Sequence, residues 1–282
     1  MRLLIPIMFA ACDTPHPAEV LVQSVQQADL DPGAAARACQ GLPPKAAGEC
    51  GALLAGQVAL KDREAAAALC GELEDPLWQD ECWFLVAEAT AAAEGPDRAV
   101  DACGRAGRFA RNCLAHLWLD AATRAHAAHG QDPPAAWAAY QPTAAWTVPD
   151  ADARALASKH RGTFFDARFN PTGDPMASPA IDVGWCGDFE GPLVRSCRQA
   201  ATESLQRQLN RAAGAGVDRG VLCGTGPLAE RVAQATGVRW VPDDALDARA
   251  TTLISRACAP VAPGAPGPGG PGRLDPAVGG PE

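Results

Sequence analysis

The eleven cysteines are the residues of this sequence with the widest choice of chemistry. Thiolates bind zinc, act as nucleophiles or pair as disulfides. Zinc sites use close cysteine pairs such as C-x2-C, whereas neighbouring cysteines in this chain are at least ten positions apart. A cysteine oxidised to a disulfide is a poor nucleophile. We therefore expect the ten cysteines after Cys12 to form disulfides in an oxidising compartment.

Two of the five histidines could share one face of a predicted helix. His126 and His129 are three residues apart, so both imidazoles could reach one metal ion. No carboxylate follows at the matching spacing, and the H-E-x-x-H pattern is absent. We therefore predict histidines on a helix surface, no metal and no cofactor. A metal site, if present, would have to form at His126 and His129.

Other catalytic patterns are weak. Gly224-Thr225-Gly226 precedes a predicted helix, as anion-binding turns do, but the lysine of a P-loop is missing. The G-x-S-x-G pattern is absent, and the acidic pair Asp243-Asp244 falls where it could cap a helix. The sequence thus predicts a helix start after the glycines and no catalytic residue. An enzyme without a recognisable motif stays an alternative.

Charge and hydropathy exclude two classes of protein. The chain has 24 Lys and Arg residues against 33 Asp and Glu residues, a net charge of −9. A nucleic-acid binder needs a basic surface to neutralise phosphates, so we predict no nucleic-acid partner. No stretch of sequence reaches the roughly 18–20 apolar residues of a membrane-spanning helix.

The first twelve residues have the layout of an export signal, with one arginine, an apolar run and two small residues before Cys12. The segment Phe9-Ala10-Ala11-Cys12 resembles the lipobox of bacterial lipoproteins, although that family usually has leucine where Phe9 stands. The resemblance implies that residues 1–11 are a signal peptide and that Cys12 carries lipid. It also implies anchoring to a membrane of the bacterial envelope, with residues 12–17 as a tether. The alternative is an ordinary signal and an unmodified thiol.

The cysteines recur with a period near 32 residues, which is typical of a repeat protein. The offsets are 31 and 33 in one series and 32 and 31 in the other. These series are Cys39, Cys70, Cys103 and Cys50, Cys82, Cys113. Residues 69–77 and 185–193 also resemble each other, which extends the pattern beyond residue 180. We predict N-terminal helical repeats over 18–130 and C-terminal helical hairpins over 181–258.

Each repeat is interpreted as two helices. Alanine, leucine, arginine and glutamate favour helix, and glycine or proline separates the helical stretches. The predicted helices are 18–29, 33–40, 44–60, 62–73, 76–93, 97–106, 108–128, 192–213, 227–236 and 244–258, with one short helix at 152–161.

Helix geometry limits how the cysteines can pair. Residues 10–12 apart on one helix lie roughly 15–18 Å apart, whereas a disulfide needs Cα atoms about 4.4–6.8 Å apart. Each close pair encloses glycine or proline turn residues, so the chain can fold back between its two cysteines. The last two cysteines flank a predicted hairpin. We predict the pairs Cys39–Cys50, Cys70–Cys82, Cys103–Cys113, Cys186–Cys197 and Cys223–Cys258. The rival scheme joins equivalent positions of adjacent repeats, such as Cys39 with Cys70.

The two-helix unit and the segment 94–103 resemble tetratricopeptide-type repeats. The cysteine pair between one unit and the next is similar to the disulfide-linked Sel1-like repeats of secreted bacterial proteins. The Trp, Leu-Gly and Tyr positions of the tetratricopeptide pattern are mostly missing, and so are the Gly and Tyr motifs of Sel1-like repeats. The resemblance implies an all-α array of stacked helical hairpins, an α-solenoid stapled by disulfides.

Two regions break this pattern. Residues 131–180 are rich in proline and aromatic residues, which either fill the space between two helical blocks or form a surface for a partner. We favour the first interpretation, since large aromatic side chains are mostly buried. Residues 259–282 are rich in glycine and proline, which predicts a disordered tail.

Stacked helical hairpins present extended binding surfaces. By this analogy of fold we expect a lipid-anchored envelope protein that acts as a scaffold for an unidentified protein partner. Its membrane contact would be the lipid anchor. The alternatives are a periplasmic protein that binds a metal or small ligand, and an envelope enzyme.

Overall fold

A computed structural model describes residue 21 and residues 32–170, 180–214 and 217–259. Within these ranges the chain is mostly helical and has no β-strand, only one parallel bridge between Ile181 and Trp240. The predicted all-α class is thereby confirmed for the described residues. The predicted signal peptide 1–11, the tether that starts at Cys12 and tail residues 260–282 lie outside them, and Leu21 is the one described residue of the predicted helix 18–29.

The chain divides into two compact units, and the division falls inside a helix. The first unit reaches Leu117 and also contains Trp146–Ala151. The second unit comprises Trp118–Ala145 and continues from Asp152. Residues 131–180, which the sequence predicts as one insertion, are therefore divided between the two units.

The first unit is built from short helices joined by tight turns. They are α1 (Pro32–Gln40), α2 (Pro44–Ala59), α3 (Arg63–Gly71), α4 (Pro76–Glu94), α5 (Val100–Arg105) and the beginning of α6 (Ala110–His129).

Aspartate and proline set the helix starts of the first unit. Asp62 accepts a hydrogen bond from the Ala65 amide, and Asp75 accepts one from the Leu77 amide. Pro76 occupies the first turn of α4, where a missing N–H group costs no hydrogen bond. The predicted helix 97–106 is instead a 3-10 turn, Pro96–Arg98, followed by α5.

Small side chains fill most of the first unit's core, chiefly alanine and cysteine. Glycines on α2 let neighbouring side chains approach its backbone. The indole of Trp78 lies where a Cβ atom of residue 48 would be, and Leu73 Cδ2 would lie 2.7 Å from a Cβ atom at Gly51. The helices thus pack closely, but each small side chain buries little apolar area.

Ten cysteines stand in five pairs whose Cα atoms are 5.3–5.6 Å apart, within disulfide range. These are the pairs that the spacing predicts: Cys39–Cys50, Cys70–Cys82, Cys103–Cys113, Cys186–Cys197 and Cys223–Cys258. The rival scheme, with Cys39 beside Cys70, is not what the structure shows. The eight cysteines of the first four pairs are buried, whereas Cys223 is exposed and Cys258 is half-buried.

The second unit contains the rest of α6 and six further helices. They are α7 (Pro133–Tyr140), α8 (Ala153–Phe169), α9 (Pro192–Gly214), α10 (Arg219–Leu222), α11 (Leu228–Thr236) and α12 (Asp244–Ala257).

Three helices of the second unit differ from the sequence prediction, and one of them is the four-residue α10, which was not predicted. No helix was predicted within residues 133–140, but Pro133 stands at the first helical position of α7 and Asp132 caps this helix through the Ala135 amide. The predicted helix 152–161 continues as α8 to Phe169. Its added turns carry Phe164, Phe165 and Phe169, which are all buried.

Aromatic side chains fill the core of the second unit. Phe164 lies at its centre, with ring centroids 5.0 Å from Trp137 and 5.1 Å from Tyr140. The buried aromatic residues of this unit are Trp118, Tyr140, Phe164, Phe165, Phe169, Trp185, Phe189 and Trp240. Of the rings of residues 131–180 in this unit, Tyr140, Phe164, Phe165 and Phe169 are buried and Trp137 is half-buried, so none of them is a fully exposed contact surface.

Candidate binding groove

A groove of about 690 Å³ opens in the first unit where α1, α2 and α3 come together. This volume is in the range of ligand-binding clefts. Its walls are the end of α1, the first half of α2, the end of α3 and the turn into α4. The lining residues are Ala36, Cys39, Gln40, Leu42, Pro44, Lys45, Ala47, Gly48, Gly51, Leu54, Leu69, Glu72, Leu73, Glu74 and Asp75.

Four leucines from different elements make the groove apolar. Leu54 on α2 is buried, and Leu42, Leu69 and Leu73 are half-buried. Gly51 on α2 lets the Leu73 side chain lie close to the helix backbone, since a Cβ atom there would be 2.7 Å from Leu73 Cδ2.

The edge of the groove is acidic. Glu72, Glu74 and Asp75 are exposed along the turn between α3 and α4, and Lys45 is the one positively charged residue of the lining. None of the three carboxylates forms an ion pair with another residue in the described part of the chain. The groove therefore offers an apolar surface beside three carboxylates that no described cation neutralises.

The next helix junction along the first unit, between α3, α4 and α5, has different contacts. The Arg105 guanidinium lies over the Trp83 ring, 4.8 Å from its centroid. Asp80 accepts hydrogen bonds from Arg108, 2.9 Å from Nε and 3.2 Å from the backbone nitrogen. This junction thus supplies its own aromatic ring and its own cations.

The two metal candidates have different environments. His126 is half-buried, its Nε2 donates a hydrogen bond to the Phe164 carbonyl at 2.9 Å, and its buried Nδ1 has no hydrogen-bond partner among the described residues. Burial lowers the pKa of His126, against a smaller opposing effect of the Phe164 carbonyl. His129 is exposed. The predicted surface position is therefore wrong for His126, whose ring packs against Phe164 at 4.4 Å.

The described residues hold no group of three or more His, Cys, Asp or Glu side chains that could bind a metal ion. The remaining histidine on α6, His116, is exposed and lies 2.7 Å from the Glu88 carboxylate through its Nδ1 atom. Its ring also packs edge-on against Phe84. One imidazole and one carboxylate are fewer ligands than a zinc site uses.

The sequence did not suggest a contact between Thr143 and His160. The Thr143 hydroxyl donates to the Tyr140 carbonyl at 2.8 Å and accepts from His160 Nε2 at 2.8 Å. A hydroxyl beside an imidazole can be a nucleophile and its base. However, Thr143 is 7% exposed and His160 3%, so no substrate can reach them. Burial lowers the pKa of His160 to about 4, which keeps the ring neutral.

The glycine turn at 224–226 and the acidic pair at 243–244 both have a local structural role at a helix start. Gly224-Thr225-Gly226 forms the turn before α11, and the Gly226 carbonyl accepts a hydrogen bond from Arg231 Nε at 3.1 Å. Gly226 has φ +119°, a backbone conformation that favours glycine. Asp243 caps α12 by accepting from the Ala245 amide at 2.9 Å. Both features are explained without a ligand.

No sequence motif marks the groove residues, which sequence reasoning missed. The signal that could have pointed to them is the pair Gly48 and Gly51, one turn apart inside a predicted helix, where glycine is unfavourable without a packing reason. Comparison of the whole chain with models of protein families, with curated proteins and with solved structures finds no match. Among the described helices, none is both long enough and apolar enough to cross a membrane.

Proposed function

We propose that this protein is a lipid-anchored interaction scaffold of the bacterial cell envelope and that the groove of the first unit binds a protein partner. The observation that carries the proposal is the groove itself, an apolar surface of four leucines bordered by carboxylates that form no ion pair in the described part of the chain. Surfaces of this kind, apolar at the centre and polar at the rim, are typical of protein–protein contact sites.

The same proposal includes the Sel1-like architecture, in which successive helical hairpins stack and a disulfide joins each to the next. Its support is the cysteine period near 32 residues together with the five cysteine pairs at disulfide distance. Disulfides persist in oxidising compartments, so the pairs are compatible with export. Intact mass before and after thiol alkylation tests this part, because alkylation of the native protein should add label to none of the ten cysteines.

The binding role is tested by photo-crosslinking in intact cells. A photoreactive amino acid replaces Leu42 in the groove in one strain and Leu60 in another. Leu60 is 48% exposed at the end of α2 but does not line the groove. We expect a discrete crosslinked protein from position 42 and none from position 60. Equal crosslinking from both positions, or none from position 42 across growth conditions, would contradict the proposed site.

The anchor is tested separately, since Cys12 lies outside the described residues. Cys12→Ala removes the only thiol of the lipobox-like segment, and Thr14→Ala is the matched control in the tether. We expect the Cys12→Ala protein to leave the membrane fraction and the control protein to stay. A membrane fraction unchanged by Cys12→Ala would refute lipid anchoring and leave the groove untouched.

A further inference from the structure

The two successive junctions of the first unit can be aligned by their cysteines. Cys50 and Cys82 are 32 positions apart, and Cys70 and Cys103 are 33 positions apart. With these offsets, each residue of the groove corresponds to one residue of the next junction. Gly51 corresponds to Trp83, Glu72 to Arg105, Leu73 to Ala106, and Asp75 to Arg108.

The aligned positions have opposite chemistry. Where the second junction has the Trp83 ring under the Arg105 guanidinium, the groove has Gly51 and the carboxylate of Glu72. Where the second junction has Arg108 paired with Asp80, the groove has Asp75, whose carboxylate makes a hydrogen bond to its own helix start and no described ion pair. The groove therefore lacks a ring and cations at the positions where its neighbour has them.

Resting on the proposed scaffold function, we infer that the groove binds a basic segment of another protein, which inserts an aromatic or large aliphatic side chain against Leu54 and Leu73 and places Lys or Arg beside Glu72 and Asp75. The apolar side chain would supply most of the affinity, because it is the part that is desolvated. The cations would supply specificity and the rate of association.

The segments of this chain outside the described ranges do not offer that chemistry after the predicted signal peptide. Residues 12–20, 22–31, 171–179 and 215–216 contain neither Lys, Arg, Phe, Trp nor Tyr, and residues 260–282 contain one arginine and no aromatic residue. Residues 1–11 contain Arg2 and Phe9, but the proposed export of the protein removes them. A second copy of the chain is disfavoured by repulsion, since each copy carries a net charge of −9. Charge complementarity thus favours a different, basic protein.

The test uses a display library of 12-residue peptides selected on the purified, full-length protein. We expect the selected peptides to combine an aromatic or large aliphatic residue with at least two Lys or Arg residues. Replacing two of those cations by glutamine in the best peptide should weaken its binding by about 4- to 25-fold, at about 2- to 5-fold per exposed ion pair. Binding should also weaken as salt is added.

Protein variants then locate the peptide. The combination Glu72→Gln, Glu74→Gln and Asp75→Asn removes the charges of the edge while keeping an N-cap residue at position 75. We expect it to weaken binding by about 10-fold, whereas Glu64→Gln, on an exposed acid of α3 outside the lining, should change binding less than 2-fold. Gly51→Trp with Leu73→Ala copies the ring of the second junction and should abolish binding. If this pair fails to fold, the charge variants decide alone.

Three results would overturn the inference. Selected peptides without Lys or Arg would refute the proposed chemistry, and peptides that bind the charge variant as tightly as the native protein would refute the proposed site. A dimer in light scattering that Glu72→Gln dissociates would make a second copy the occupant. Failure of the scaffold function is distinguishable, because a crosslinked partner at position 42 in cells can be present even when the peptide preference is absent.

Discussion

The two units of this protein are both helical, but their cores consist of different kinds of side chain. The first core consists mainly of alanine and cysteine, with glycines where helices come closest. The second consists of aromatic rings packed around Phe164, together with buried polar groups such as Thr143, His160 and Gln208. One helical class can therefore have a core of closely packed small side chains, or a core of large rings with internal hydrogen bonds.

This difference predicts different weaknesses. Small side chains bury little apolar area, so the first unit should depend on the chain constraint that its disulfides would impose. The second unit buries large rings and should depend on their fit. It also buries imidazoles, so its stability should depend on pH.

Phe164→Ala tests the second core and has the largest expected effect. Phe164 is fully buried and touches several rings, so its removal should leave a cavity and lower the free energy of unfolding by about 3–5 kcal/mol. Urea unfolding followed by hydrogen exchange should place the loss in the second unit. Leu119→Ala, at a side chain 46% exposed, is the control and should cost little. A loss below 1 kcal/mol for Phe164→Ala would mean that the ring core is loose.

Removing one cysteine pair from each unit tests the role of the crosslinks. The Cys70–Cys82 and Cys186–Cys197 pairs are separated by 12 and 11 positions, so chain entropy predicts a similar loss of about 3 kcal/mol for each double Cys→Ala variant. We expect the first unit to lose its protection from hydrogen exchange when its pair is removed. The second unit should stay folded without its pair, because its rings still pack. The opposite order would show that the cores do not differ in this way.

Acid tests the histidines of the second unit. The folded pKa of His160, about 4, is below its unfolded value of 6.5, so the fold disfavours the charged ring. Its contribution is fully present above pH 6.5 and is lost as pH falls toward 4, by about 2–3 kcal/mol. Burial of His126 acts in the same direction. Unfolding free energy measured from pH 7 to pH 4 should fall, and His160→Gln should flatten the curve. A curve that keeps its slope in this variant would exclude His160 as the cause.

Gly48→Ala tests the close packing of the first unit and has the smallest expected effect. The added methyl group meets the Trp78 ring, at a cost of about 1–3 kcal/mol, while alanine gains about 1 kcal/mol in helix propensity. We expect a net loss of about 0–2 kcal/mol in thermal or urea unfolding. Gly71→Ala is the matched control on α3, since nothing lies within 4 Å of its added Cβ atom. The control should be neutral or stabilising, and a Gly48→Ala protein more stable than the control would disprove close packing at Trp78.

Residues that start or end helices, such as aspartate, proline and glycine, made much of the fold predictable. Asp75 and Pro76 mark the start of α4 in both sequence and structure, because capping and the fixed proline φ act locally. Asp132 and Pro133 have the same arrangement at the start of α7, but no helix was predicted there because the region was interpreted as a proline-rich insertion. Local signals thus place most helices, and a helix is missed where its starting proline lies among several others.

The groove could not be predicted in the same way. Its leucines come from the α1–α2 turn, α2, α3 and the turn after α3, so their proximity depends on how the helices pack. The burial of His126 has the same origin, because it depends on Phe164, 38 positions away. Tertiary contacts of this kind do not produce a periodic pattern in the sequence. The two glycines on α2 are the exception, since an unfavourable residue inside a helix calls for a packing reason.

The exposure of Cys223 has a consequence for the order in which the chain would be reduced. If all five cysteine pairs are oxidised, thiol–disulfide exchange requires a thiolate to reach one of the two sulfur atoms, and eight of the ten cysteines are buried. A mild reductant would therefore reduce Cys223–Cys258 first, because the four buried pairs become accessible to it only when the protein unfolds. The partly reduced protein would keep its helices and expose two thiols, Cys223 directly after α10 and Cys258 directly after α12. These thiols would be specific sites for labelling or for thiol–disulfide exchange with another protein.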